Sequence, residues 1–149
     1  MSDDAPVSFQ VLNEIGIISQ LAGNRLERLL PDGLRIPHFA VLNHLVRLGG
    51  DWSPVRLAAA FQVTKGAMTN TLQRLEARGY VAVRPDPRDG RAKLASITRD
   101  GRRVHRKAIA AVTPDLANLQ TILSESRFAE ALPFLRDLRT LLDESRNRS

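Results

Sequence analysis

The chain contains no cysteine. That excludes a disulfide framework, a thiolate metal site and a redox-sensing thiol, and it points to a cytoplasmic protein. No apolar run approaches the roughly 18 residues that a membrane span needs. The first residues, MSDDAPVSFQ, are acidic where a secretory leader is basic, so neither insertion nor export is expected. Enzyme signatures are missing as well: there is no glycine-rich phosphate loop, no nucleophile and base at a recognisable spacing, and no paired acidic cluster. His38, His44 and His105 are the only histidines. Without carboxylates at ligand spacing beside them, no metal is expected, and no other cofactor.

What remains is an ordinary folding composition. The 149 residues are 43% hydrophobic and 26% charged, enough for one unit with a substantial core. The net charge of +6 is unevenly placed. Residues 53–107 hold thirteen Lys+Arg against four Asp+Glu, a net of +9, whereas residues 1–52 carry −2 and residues 108–149 carry −1. A cationic middle third between near-neutral ends is the electrostatic footprint of a segment that displaces counterions from nucleic-acid phosphates. An anionic membrane surface satisfies the same arithmetic.

Apolar residues between Phe9 and Leu30 recur at three- and four-residue spacing, predicting an amphipathic helix that ends at Pro31-Asp32-Gly33. Its apolar face is broad enough to need more than one packing partner. A second helix is predicted over 37–48, closed by Gly49-Gly50, with Trp52 packed under that turn. Ser53-Pro54 opens a short helix to Phe61, and Thr64 caps another to Arg78, stopped by Gly79. Two short helices joined by a three-residue turn form a helix-turn-helix pattern. YVAVR (80–84) and KLASI (93–97) then read as a β-hairpin, with Pro85, Pro87 and Asp89-Gly90 in a long tip between them. Thr98 caps a long helix that Pro114 is placed to kink. Ser124 or Ser126 opens a last helix that Pro133 breaks or bends, and ESRNRS is expected to fray.

Within TKGAMTNTLQRLEARG (64–79), Met68, Leu72 and Leu75 must face inward. The opposite side presents Lys65, Gly66, Thr69, Asn70 and Gln73. These short or planar polar groups suit base edges in a major groove better than the Glu/Lys mixture of a solvated helix does. Gly66 removes a side chain where the helix would approach DNA closely. The hairpin adds Arg84, Arg88, Arg91 and Lys93, and arginine suits a narrow, electronegative minor groove. Asp86 and Asp89 would repel phosphate; placed beside Arg88 and Arg91, they are expected to fix the direction of the guanidinium groups.

Asp86-Pro87-Arg88-Asp89-Gly90-Arg91-Ala92-Lys93, followed by Ile97-Thr98-Arg99-Asp100-Gly101, resembles the wing signature of the MarR family of transcriptional regulators. LAAAFQVTKGAMTNTLQRLEARGYV is similar to that family's helix-turn-helix, and Leu34 to Phe39 to its second-helix entry. The resemblance implies a mainly α fold with a small β-hairpin wing (α+β). A winged helix-turn-helix over 35–101 (helix-turn-helix 53–79, wing 80–98) would be joined by a connecting helix over 99–124 to an interlocked dimerisation domain built from 9–34 and 108–145. It further implies a homodimer that binds double-stranded DNA at a palindromic operator, with repression relieved by a small phenolic or aromatic ligand. By the same resemblance Thr64, Lys65, Thr69, Asn70 and Gln73 match base and phosphate contacts, and Arg74 points toward the backbone. Arg91 matches the wing-tip arginine, Arg88 with Asp86 or Asp89 its support, and His38 is a candidate for the effector crevice. The competing reading is a ligand-independent architectural or nucleoid-associated DNA binder using the same winged helix.

Overall fold

A computed structural model describes residues 4–148. Six helices and one hairpin follow in the order α1 (Val7–Leu29), α2 (Ile36–Leu48), α3 (Pro54–Phe61), α4 (Lys65–Ala77), β1 (Val81–Asp86), β2 (Asp89–Ile97), α5 (Arg99–Gln120) and α6 (Glu125–Arg148). The fold is mainly α with a small antiparallel sheet, as the sequence implies. In place of one compact unit there are two, dividing between Val112 and Thr113. The physical reason is visible in burial: the buried residues of α5 stop at Val112, and α6 buries none.

In the larger unit the core is Leu34, Val41, Leu42 and Leu45 from α2 and its approach, Leu57 and Ala58 from α3, Met68, Leu72 and Leu75 from α4, then Val81, Ala95 and Val104. Local chemistry places these elements. Ser53 Oγ accepts from Arg56 N–H at 3.2 Å and Thr64 Oγ1 from Ala67 N–H at 3.1 Å, so each helix of the pair starts on a side-chain cap. The turn between them is made by Gln62, whose φ of 54° is left-handed and whose amide donates to the Ala59 carbonyl at 2.7 Å.

The junction of α4, β1 and α5 is the tightest point. Thr98 Oγ1 accepts from Gly101 N–H at 3.0 Å, capping α5, and donates to the Gly79 carbonyl at 2.6 Å. A Cβ on Gly101 would stand 2.1 Å from the Tyr80 carbonyl oxygen and 2.8 Å from Ile97 Cγ1. Only glycine lets the start of α5 lie on that carbonyl, which is the packing reason for the glycine in the Ile97-Thr98-Arg99-Asp100-Gly101 sequence.

Two expectations about the C-terminal third need correction. Pro133 does not break its helix: α6 is continuous over 24 residues, because a proline removes one intrahelical bond while the turns on either side keep theirs. The tail is helical rather than frayed as far as Arg148, with Arg146 paired to Asp143 and Ser145 Oγ donating to the Leu141 carbonyl; Ser149 lies outside the described residues. α5 likewise stays helical through Pro114.

Candidate nucleic-acid interface

Burial of Met68, Leu72 and Leu75 fixes the rotation of α4. Lys65, Gly66, Asn70 and Gln73 are therefore exposed and Thr69 half-buried, an arrangement that follows directly from the helical period. Space is open above Gly66, with nothing within 4 Å of where a Cβ would be. Thr64 is exposed but its hydroxyl already serves the α4 cap. Arg74 sits a turn further along and turns its flank to a separate cleft.

The hairpin differs from the expected long tip. Its strands continue to Asp86 and Asp89, leaving only Pro87-Arg88 as the turn, and the register shifts between Pro85 and Asp86 so that Gly90, Arg91 and Ala92 bulge from β2. The aspartates also act differently from the expectation. Asp86 Oδ1 accepts from Arg88 N–H at 2.9 Å, and Asp89 Oδ1 from Arg91 N–H at 3.0 Å. Both bonds close aspartate turns on the backbone. Among the described residues neither guanidinium pairs with a carboxylate. The aspartates shape the tip, and Arg88 and Arg91 remain exposed with Lys93 on the same strand.

Arg84 is exposed but already engaged by residues of its own chain. Its guanidinium pairs with Asp51 and reaches Ser96 Oγ at 3.4 Å. Beside Asp51, Trp52 forms a two-bond antiparallel bridge to Ala95, N–H to carbonyl at 2.9 Å and the reverse at 2.8 Å. The indole N–H donates to the Gly49 carbonyl at 2.8 Å, as its place under the turn suggested, and the ring meets the His44 edge and the Arg56 guanidinium. Asp51 and Trp52 thus tie the wing to the helices. Sequence reasoning missed this tie; the signal for it was a lone tryptophan next to an acid, directly after Gly49-Gly50.

His38 lies at a cleft of about 410 Å³ between the start of α2 and the end of α4. Leu34 and Leu75 floor it, and Arg35, Arg74 and Arg78 stand at its rim. The imidazole Nδ1 accepts from Arg35 N–H at 3.3 Å, which caps α2. Burial, then the fields of Arg74, Arg78 and Arg35, hold the His38 pKa below its ordinary value of 6.5, against a small opposing effect of Glu27. His105, by contrast, is packed in the core: it stacks on Phe39 and its Nε2 lies 2.9 Å from Asn43 Oδ1. Burial, with Arg106, lowers its pKa too. Among the described residues no three His, Asp or Glu side chains gather as a metal would require, and no helix is long and apolar enough to cross a membrane.

Comparison with known proteins agrees with this geometry. The family model described as MarR family matches residues 32–92, from the turn before α2 to the wing. The HTH-type transcriptional repressor Rv2887 of Mycobacterium tuberculosis is 34% identical over 112 residues, covering 75% of this chain and 78% of that protein. The multiple antibiotic resistance protein MarR of Salmonella typhimurium is 31% identical over 98 residues, covering 62% and 67%. A crystal structure of mutant MarR from E. coli complexed with operator DNA superposes with a TM-score of 0.70 at 27% identity, over 92% of this chain and 99% of that one. With a capped helix pair, a polar α4 face and a hairpin wing in place, the chain belongs to the MarR family of transcriptional regulators and is not an enzyme.

Proposed function

We propose that the protein is a homodimeric repressor that reads a two-fold operator, with α4 in the major groove and the wing tip in the adjoining minor groove. The observation that carries this reading is the exposed face Lys65, Gly66, Asn70 and Gln73 on a helix rigidly held by three buried apolar side chains, beside a hairpin whose Arg88, Arg91 and Lys93 have no carboxylate partner among the described residues. Rigid, preorganised polar groups suit direct readout, and unpaired arginines suit phosphate and minor-groove contact. The named function of the relative Rv2887 as a repressor, and the operator DNA bound to mutant MarR, support the same assignment. A dimer would cover the apolar side chains that α1 leaves exposed, among them Phe9, Leu12, Ile18 and Leu21, and those of α6, among them Phe128, Leu132 and Leu135. Thr64, Thr69 and Arg74 complete the proposed DNA-facing set; Arg84 acts in it through Asp51 by holding the wing. A small aromatic effector relieving repression is the remaining part of this reading.

The test is selection of bound fragments from the organism's own genome, followed by anisotropy titration of the recovered sites. A two-fold footprint of about twenty base pairs, two half-sites one helical turn apart, is expected. Binding with no preferred site would instead favour an architectural DNA binder. Arg91→Ala should weaken the recovered site at ~0.15 M salt, where exposed charges are already screened beyond ~8 Å, without changing the fold; equal affinity of both proteins would remove the wing tip from the interface.

A further inference from the structure

The solvent face of α5 carries charge that neither the operator interface nor the apolar faces of α1 and α6 use. Burial of Val104, His105, Ala108 and Val112 fixes the rotation of this helix. Arg99, Arg102 and Arg106, at i, i+3 and i+7, therefore share the opposite, exposed side. The cations beside them are compensated: Arg103 meets Asp100 at 3.3 Å and Lys107 meets Asp32 at 3.0 Å. Among the described residues no carboxylate pairs with Arg99, Arg102 or Arg106. Arg99 stands in the first helical turn, where the helix dipole disfavours a cation, and it repels Arg102 three residues on. An external anion would relieve both costs. The fold also sets this stripe apart from the operator interface. Thr98 Oγ1 donates to the Gly79 carbonyl at 2.6 Å, so α5 starts beside the end of α4. Lys65 lies at the other end of that 13-residue helix, about 20 Å away. The turn at Pro87-Arg88 lies at the far end of the six-residue β1, again about 20 Å away. A duplex held by Lys65 and the wing tip leaves the stripe uncovered.

The character of the surface selects its partner. From Arg99 to Lys107 every exposed side chain is charged, with no exposed apolar one among them. A protein interface takes an apolar centre, and stable attachment to a membrane takes an apolar anchor as well as charge. A phosphate backbone needs neither, because counterion release alone supplies non-specific affinity. The spacing agrees. The helix rises about 10 Å from Arg99 to Arg106, and one DNA strand sets a phosphate every ~3.4 Å along its axis, so about three phosphates can meet three guanidinium groups. We infer that the Arg99, Arg102 and Arg106 face of α5 binds the phosphate backbone of a second DNA segment while α4 and the wing hold the first. The inference rests on the regulator reading for what occupies α4. Contact at the stripe is to phosphate and not to base edges, so a second segment of any sequence serves. In a two-fold dimer the stripe occurs twice, and an operator complex can gather neighbouring DNA without a second operator.

The test is capture of one duplex by another. A biotinylated operator duplex on streptavidin is saturated with the full chain, and a labelled duplex of unrelated sequence is then added. The second duplex should be captured at ~50 mM salt, and its affinity should fall with salt at a log-log slope of about −2.7, three phosphates at −0.9 each. The triple variant Arg99→Gln, Arg102→Gln, Arg106→Gln should lose capture by at least about tenfold while keeping operator affinity within about twofold. Replacing the same three residues by lysine keeps the charge and should keep capture within a few-fold, which separates loss of charge from loss of structure. No capture by the wild-type protein, or equal capture by the glutamine variant, would overturn the inference. So would a matching loss of operator affinity in that variant, which would assign the stripe to the first duplex. Polyglutamate or phosphatidylserine vesicles displacing the second duplex as well as unlabelled DNA does, at equal charge, would overturn it too. The regulator reading is scored in the first step, before the second duplex is added. If no operator is preferred, that reading fails there, and an unrelated duplex saturates the α4 face so that the capture step still decides the inference.

Discussion

Helices α4 and α6 are opposites in how they use apolar residues. In 13 residues α4 buries Met68, Leu72 and Leu75 completely and keeps its other side polar. In 24 residues α6 buries none, although Phe128, Leu132, Phe134, Leu135, Leu141 and Leu142 lie along it. α1 resembles α6 in this respect: 23 residues, none buried. The winged helix therefore completes its packing within one chain, whereas α1 and α6 carry a comparable apolar content of which none is fully buried among the described residues. Monomeric soluble proteins rarely leave such faces open. The difference separates what one chain can stabilise by itself from what a second copy would have to supply.

The strongest way to break that comparison is at Gly101, inside the self-sufficient part. Gly101→Ala drives a Cβ onto the Tyr80 carbonyl, 2.1 Å away, at a place where backbone meets backbone and no side chain can swing aside. A loss of about 3 kcal/mol is expected, the upper part of the range for overpacking, read as a fall in the thermal midpoint that does not depend on protein concentration. An unchanged midpoint would mean that the junction of α4, β1 and α5 is looser than described.

Substitutions in α1 and α6 should do the reverse. Leu21→Glu with Leu141→Glu leaves every core side chain of the winged helix untouched. If a second copy covers these faces, each leucine contributes about 2 kcal/mol to association, and sedimentation equilibrium should show monomer where the wild-type protein is dimeric. Helix content from α2, α3 and α4 should persist. A double variant that stays dimeric would move the interface elsewhere.

Within the winged helix the comparison sharpens to two kinds of carboxylate. Asp51 meets a guanidinium, and Asp86 and Asp89 meet amides. An amide needs an acceptor oxygen and no charge. Asp89→Asn should therefore retain DNA affinity, or raise it slightly by removing a negative charge near phosphate, whereas Asp89→Ala should lose about 1 kcal/mol of it as the tip loses its turn. Equal losses for both would restore the aspartate as a partner of the Arg91 guanidinium.

Local chemistry explains which parts were legible in sequence. The caps Ser53, Thr64 and Thr98, the buried triad of α4 and the glycines ending α2 and α4 each act within a few residues, and each lies where the spacing placed it. The misreadings involve either partners distant in sequence or competing uses of one group. Arg84 looked like a free wing cation because its partner Asp51 is 33 residues away. The +9 of residues 53–107 includes Arg99, Arg102, Arg103, Arg106 and Lys107, which stand on α5 beyond the wing, Lys107 held by Asp32 at 3.0 Å. Composition counts such charges and cannot sort them by face. Proximity along the chain also misled at the tip, where each aspartate is next to an arginine but bonds that residue's backbone.

The smallest expected effect is on pH dependence, and it too divides the two regions. Both shifted histidines, His38 and His105, belong to the larger unit, and both are held below 6.5 mainly by burial. A histidine whose folded pKa is depressed binds fewer protons folded than unfolded, so stability rises with pH through the window below 6.5 and is lost as pH falls through it. His105 has the larger structural consequence, since its ring stacks on Phe39 and bonds Asn43, joining α5 to α2. Thermal midpoints should therefore fall on acidification from just above 6.5, and His105→Gln, able to keep a bond to Asn43 without titrating, should flatten that slope while lowering the plateau through the lost ring contact. Association through α1 and α6 should not follow this curve, because neither helix contains a histidine. A dimer that dissociates along the same pH profile as the winged helix melts would show that the two regions are not independent.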